Sequence, residues 1–566
     1  MGNLRGLWLL IWLLPGLSLL AQEPSAPGDT TDSKWVQIRN ADLLVFVRIE
    51  GEGVQKLLGN VQLQQDSTLF FCDSAYFYEQ TNRFDAFDRV RVEMPDSVVM
   101  RSKRLSYDGN TRIAEVYDDI SLVNREVSLT TQRLTYYRDE EYGYYQQGGK
   151  LVDGESVLTS ETGYYYPRED QAYFRRKVVL ENPDYTLHTD TLGYNTDSKV
   201  ARFLTFTRID SKDGEIETTQ GTYDTGASRI DLYARSVVRD SSYILTADTL
   251  TYIDQDNLGF AYGHIVILQD DSTLEIRGNY GRFNRRTDES LVTRDAVGIQ
   301  RFDDDTLYIF ADTLLFREEQ RIRQRRAAAT DTLEADTVGS DSLADSLPPV
   351  APPVVLDTFD ARIFLAYHQV RYFMNDMQGR ADSMTYFYDD STIYLYDDPV
   401  LWSDQNQLSG DTIKVWMKNR QADSLWVGMG GFLVSQEDTV GFNQMKGREL
   451  RAKFRDNELV RLDVLGNAES IYFIRDDKDT ARVSYQGMNQ ATAQSMILHL
   501  KDNEVKRIVF RSKPEGTFYP FFEVVDQENR LEGMRWRIQE RPEKPALFAP
   551  QTTSAATDPP VPGTER

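Results

Sequence analysis

The chain has 566 residues, with 89 acidic against 64 basic side chains and a formal net charge of −25. That balance argues against nucleic acid as a partner and against simple electrostatic adhesion to an anionic membrane. The single cysteine, Cys72, rules out an intramolecular disulfide, so stability has to come from apolar burial.

In chain order, residues 1–21 stand apart. Arg5 supplies a positive start, and Leu7 to Leu14 form an apolar stretch shorter than the ~20 residues a membrane-spanning helix needs. The segment reads as a secretory signal peptide cut after Ala21, and it predicts an exported, periplasmic protein.

From residue 22 to 316 an aromatic side chain returns at a nearly fixed interval: Phe77, Tyr107, Tyr136, Tyr165, Tyr194, Tyr223 and Tyr252, then Phe283 and Phe316. Tyr165, Tyr194, Tyr223 and Tyr252 are 29 residues apart. Most copies place a polar-then-apolar phrase before the aromatic, as in Asp190-Thr191-Leu192-Gly193-Tyr194 and Asp248-Thr249-Leu250-Thr251-Tyr252. Such a period marks stacked copies of one small unit, each of which buries its apolar face only against its neighbours. Within a unit the apolar residues alternate, as in Val61-Gln62-Leu63, Val90-Arg91-Val92 and Ile120-Ser121-Leu122, so the segments read as strands with one buried face. Turn chemistry at Asp108-Gly109-Asn110, Gly148-Gly149, Asp153-Gly154, Asp213-Gly214 and Asp270-Asp271 predicts reversals of the chain. A unit of this length is expected to hold about three strands of ~5–6 residues.

Residues 317–357 carry a basic run (Arg321, Arg323, Arg325, Arg326), then Ala, Asp, Thr and Ser, and end in two Pro pairs. This composition predicts a disordered linker. Strand patterning resumes over 358–540. Asp382-Ser383-Met384-Thr385-Tyr386 and Asp411-Thr412-Ile413-Lys414-Val415 repeat the aromatic phrase, and Asp456 to Leu462 is echoed by Asp502 to Ile508. Residues 541–566 read as a disordered tail.

Chemistry-bearing patterns are missing from the sequence. His188, His264, His368 and His499 show no metal-ligand spacing, Gly143 to Lys150 lacks the glycine spacing of a phosphate loop, and Asp303-Asp304-Asp305 reads as a solvated turn. Asp190, Asp248 and Asp312 recur with the repeat and so read as architecture. No catalytic residue, metal site or cofactor is expected.

A signal peptide followed by strand repeats of the form Gly59-Asn60-Val61-Gln62-Leu63, then Ser67-Thr68-Leu69 with Asp73 and an aromatic, resembles the OstA/LptA family of periplasmic lipopolysaccharide-transport proteins. The resemblance covers residues 36–316 well and 358–535 weakly. It implies an all-β fold, an elongated β-jellyroll (β-taco) whose ~29-residue repeats form two arrays joined by the linker, with an apolar interior that carries lipid A acyl chains. It also implies stacking against other lipopolysaccharide-transport jellyrolls through edge strands. The chain is longer than the compact bridging proteins of that family and lacks the strand pattern of a membrane barrel.

On that reading the lipid-binding groove is lined by the apolar members of the alternating runs: Val61, Leu63, Leu69, Phe71, Val90, Val92, Ile120, Leu122, Leu129 and Leu134. Headgroup contacts are expected from Arg175-Arg176-Lys177 and from Arg282, Arg285 and Arg286. Two splayed sheets would leave an open trough and two closed sheets a dry core, and the pattern fits both. Three functions are weighed: a lipopolysaccharide carrier or bridge, a structural or adhesive β-solenoid of the cell envelope, and, last, a polysaccharide-cleaving β-helix.

Overall fold

Two kinds of break interrupt the strands, tight turns and left-handed corners, and together they build the architecture. In a computed structural model the described residues are 35–326 and 354–544, apart from short gaps at 50, 213, 241–242, 270–271, 303–304, 419–420, 438–440, 456–457, 477–483, 502–503 and 525–528. The expected signal peptide lies outside them. Among the described residues the regular structure is antiparallel strand with four single-turn 3-10 segments. The chain divides into two compact units, one of residues up to 125 with 130–143, the other of 126–129 with residues from 144 on.

In the first unit, long strands pass through two successive residues of positive φ near their middle. These are Gly59-Asn60 (74° and 43°), Asp88-Arg89 (61° and 49°) and Asp118-Asp119 (66° and 53°). The ladder skips at each corner. Between Glu52–Gln65 and Thr68–Tyr78, for instance, Leu58 opposes Ser74 but Val61 opposes Cys72. Left-handed residues bend the strand and twist it out of plane, and Gly, Asn and Asp adopt that conformation most readily. The second unit repeats the device at Arg176-Lys177, Gly263-His264, Arg294-Asp295, His368-Gln369, Gly466-Asn467 and elsewhere. Gly148 belongs here too. Expected as a reversal, it is instead the corner between Tyr142–Tyr145 and Gly149–Asp153.

Each corner passes the strand from one sheet into another. Tyr185–Asn195 pairs through its first half with Thr207–Ser211 and through its second half with Val200–Phe203. One repeat therefore holds four half-strands instead of three strands, as in Val200–Phe203, Thr207–Ser211, Gly214–Thr218 and Gly221–Asp224. The expectation failed because it counted turns and missed corners, which do not need glycine. The two half-ladders bury their facing alternates together, giving a jellyroll-like fold. In the second unit Ile276, Ala296 and Ile309 from one half share a core with Val292, Leu314, Phe364 and Leu395 from the other.

The aromatic beat is one row of that interior. In the second unit the pairing runs Tyr165, Ala172, Tyr194, Ala201, Tyr223, Ile230, Tyr252, Gly259, Phe283, Ser290, Phe316. Large rings mostly alternate with small residues, so each ring fills the space its neighbour leaves. In the first unit the row runs ring against ring, Phe77 opposite Phe84 and Phe84 opposite Tyr107, before Tyr107 meets the small Ala114. Opposite the aromatic row of the second unit runs an aliphatic one on the other sheet: Leu151, Leu158, Leu180, Leu187, Ile209, Ile216, Val238, Leu245, Ile267, Ile276. The second-region phrases join the same rows, with Tyr386 opposite Ile393 and Ile393 opposite Val415.

The flanks of the expected linker are strand. Residues 317–326 and 354–357 are strand, paired out to Arg326 opposite Val354, and 327–353 lie outside the described residues. Pairing with an established ladder overrides the charged composition of the flanks.

Residues 529–541 form a strap over the outer face of the aliphatic sheet. Gln444 donates to the Asn529 carbonyl (2.6 Å) and accepts from the Leu531 amide (2.8 Å). Gln407 donates to the Arg535 carbonyl (2.6 Å) and accepts from the Arg537 amide (2.7 Å), and Gln378 accepts from Arg541 Nε (2.7 Å). Leu531 packs with Phe432, Val434, Ile471 and Phe473, and Trp536 packs at their edge. Arg541, placed in the expected tail, is thus held. Deleting residues 525–566 should expose this apolar cluster and strand three buried glutamines, costing about 3 kcal/mol or more. A lower urea midpoint with new binding of an apolar dye checks it.

Candidate functional site

The site is the apolar interior and the mouth where the turn edges of the two sheets face each other, opposite the corners. In the first unit that mouth is tied by polar bridges. The Tyr107 hydroxyl donates to Gln65 Oε1 (2.5 Å), and Gln65 Nε2 donates to the Gly109 carbonyl (2.9 Å). Asp66, beside Gln65, takes ion pairs from Arg138 (2.8 Å) and Arg112 (3.0 Å). Burial pushes the Tyr107 phenol up, so it stays a neutral donor.

The second unit begins the same way. The Tyr194 hydroxyl donates to Asp153 Oδ2 (2.9 Å), Lys199 pairs with the same buried carboxylate, and the Tyr223 hydroxyl donates to Asn182 Oδ1 (3.1 Å). Burial raises both phenols. Further on, Arg285 reaches across to Asp240 (3.3 Å) and lies over the Tyr252 ring at 5.4 Å. Behind the first of these bridges the aliphatic row is fully buried as far as Ile209, and Ile216 and Val238, next along it, are partly buried. Leu151, Leu158, Leu180, Leu187 and Ile209 are each 0% exposed.

Beyond Ile209 partly buried residues recur. On the aliphatic sheet Ile267, Leu274, Leu307, Leu401, Leu408 and Leu433 are only partly buried, although all pack on the core. Across from them Phe316, Tyr386, Ile393 and Met417 are partly buried too. Leu401 opposes Leu408 and Leu408 opposes Leu433, so this strip is continuous along the ladder. The interior of the second unit is thus fully buried along the aliphatic row of its first repeats and in part only half-buried in its later ones.

Of the ten expected groove residues, eight point inward. Val61, Leu63, Val90, Val92, Ile120, Leu122, Leu129 and Leu134 are each at most 2% exposed. Leu69 and Phe71 point outward, a correction. Thr68, Phe70 and Cys72 are the buried alternates of that strand. The run Leu69-Phe70-Phe71-Cys72 is apolar at both parities, so the two-residue turn at Asp66-Ser67, which sets Gln65 opposite Thr68, decides which side faces in. Phe71 instead lies under the Arg91 guanidinium at 4.3 Å. Burial pushes the Cys72 thiol up to about 12. The partly buried residues of the later repeats were missed, since Val400-Leu401-Trp402 is apolar at both parities and only Gln407-Leu408 carries an alternation.

The basic clusters are scattered. Arg176 and Lys177 form a corner, where Lys177 pairs with Glu161 (2.6 Å), and Arg282 pairs with Glu289 (2.5 Å). His264 sits at a corner beside Asp248 (2.6 Å), which also takes Arg235 (3.0 Å). Asp305 accepts from the Asn375 amide (3.0 Å), while Asp303 and Asp304 lie outside the described residues. Among the described residues no group of three or more His, Cys, Asp or Glu side chains is placed to hold a metal ion.

Lys199→Ala leaves the buried Asp153 carboxylate with the Tyr194 hydroxyl but no counter-charge. Because Lys199 is itself partly exposed, the expected loss is about 2 kcal/mol, below the range for fully buried pairs. The double substitution Asp153→Asn with Lys199→Ala should recover part of it in urea unfolding, since the uncompensated charge is then gone.

No curated protein matches the chain. Residues 33–190, spanning the first unit and the first stapled repeats of the second, match the family model described as OstA-like protein. Together with the all-β jellyroll-like ladder, that match supports an OstA/LptA-like assignment for this part of the chain.

Proposed function

We propose that this protein is a non-enzymatic, periplasmic carrier or bridge that shields the acyl chains of lipopolysaccharide during transport to, or assembly in, the outer membrane. The OstA-like domain supports the lipid-transport class. The observation that carries the finer reading is the apolar strip Leu401, Leu408 and Leu433, only partly buried yet continuous with the core. Keeping an acyl chain out of water is worth about 0.8 kcal/mol per methylene, so a strip of this kind lowers the barrier to crossing an aqueous gap. Docking to other jellyrolls of the transport system is assigned to the edge strand Leu43–Ile49, which pairs on one side with Glu52–Gln65 and exposes Leu43, Leu44 and Phe46. Its backbone can extend a partner's ladder.

A structural or adhesive role is the second reading, favoured by the sealed, bridged interior of the first repeats. Photo-crosslinking residues decide between the two. At Leu401 and Leu408 they should capture lipopolysaccharide in living cells, and at Leu122 or Leu158, behind the bridges, capture should be several-fold lower. Folded protein that captures no lipid at any of the four positions favours the structural role.

A further inference from the structure

The outer face of the aromatic sheet carries a feature that neither the fold nor acyl shielding requires. Tyr164, Tyr166, Tyr173, Arg175 and Thr191 line an open cleft of about 230 Å³ in the second unit. Tyr164 opposes Tyr173 and Arg175 opposes Thr191 across neighbouring strands, so alternation aims all of them away from the core. Tyr144 stacks on Tyr164 with ring centroids 4.6 Å apart, and Tyr166 meets Tyr173 edge-on at 6.1 Å, which fixes the ring planes. Beside Tyr173 the chain places Gly193, where an added Cβ would meet the Tyr173 ring at 3.5 Å, so the floor there is bare backbone.

Tyr173 keeps 47% of its surface in water. Charged neighbours on the same ladder are paired: Lys177 with Glu161, Arg208 with Asp210, Arg229 with Asp231. Arg175 has no acidic partner among the described residues, in a chain whose net charge is −25. A guanidinium without an acidic partner, beside an exposed ring, is poised for an acceptor from outside.

We infer that this cleft binds a saccharide ring bearing an acidic substituent. A pyranose presents an apolar C–H face rimmed by hydroxyls. The fixed tyrosine faces suit the first, the phenol and Thr191 hydroxyls suit the second, and Arg175 takes the carboxylate or phosphate. The cleft is small enough for one ring, and it is independent of the interior trough, so it stands whether or not acyl chains are carried.

Isothermal titration calorimetry on the full-length mature protein tests it, with trigalacturonate as the acidic probe and maltotriose as the neutral one. Trigalacturonate should bind, and more tightly than maltotriose. Tyr173→Ala should weaken it about tenfold, the scale of one stacking ring. Arg175→Gln should erase the preference for the acidic probe. Gly193→Leu, which fills the floor, should abolish binding of both while the circular dichroism spectrum stays unchanged. Heat from neither saccharide overturns the inference, as does binding that survives both Tyr173→Ala and Gly193→Leu. So does heat from a polyproline peptide alone, the other ligand suited to an aromatic cleft.

Discussion

Side chains alternate across a strand, so a slip of one residue between neighbours would turn the buried rows of this protein outward. The structure depends on holding that register through a bent ladder. Two-residue turns such as Asp66-Ser67 set it at one edge, and pairs of left-handed residues such as Asp88-Arg89 preserve it through each corner. Non-glycine residues held at positive φ cost about 1–3 kcal/mol each, so the corners persist because pairing on both sides over-determines them. Ion pairs across the corners, such as Arg89 with Asp73 at 2.8 Å, are exposed and contribute little beyond orientation.

Given that register, the chemistry of the turn edges decides what the interior can do. Where the facing turns carry a carboxylate or amide, as at the partly buried Asp66 and Asn182 and the buried Asp153, tyrosine hydroxyls and basic side chains tie the two sheets. In the later repeats Leu401 and Leu408, which hold the ladder positions of Leu151 and Leu158, are only partly buried. One repeat pattern thus yields a fully buried section and a partly buried one. The strap over Gln378, Gln407 and Gln444 fits this division, because it backs the partly buried section from outside and gives its strands a second buried face.

The rows were legible in the sequence because the aromatic beat and the alternation coincide, as at Tyr194 with Leu192 and at Leu122 with Ile120. The parity of Leu69 and Phe71 was not, since four consecutive apolar residues carry no alternation to read. Corners were hidden because Asp88-Arg89 and Arg176-Lys177 look like ordinary charged strand ends. The bridges were hidden for a similar reason, since Asp153 and Asn182 are what any turn would use and only the fold brings Lys199 and Tyr223 to them. The strap left one faint signal: Leu531, Met534 and Trp536 are large apolar residues in a stretch without strand alternation.

The central claim is that the interior of the second unit passes from sealed to open along its own rows. Single cysteines placed one at a time at Leu158, Leu187, Leu408 and Leu433, in a Cys72→Ala background, test it through their rates of labelling by a small maleimide in the native protein. The account predicts slow labelling at Leu158 and Leu187, governed by unfolding, with labelling at Leu408 and Leu433 at least tenfold faster. Equal protection at all four positions would show a closed core throughout and would contradict it.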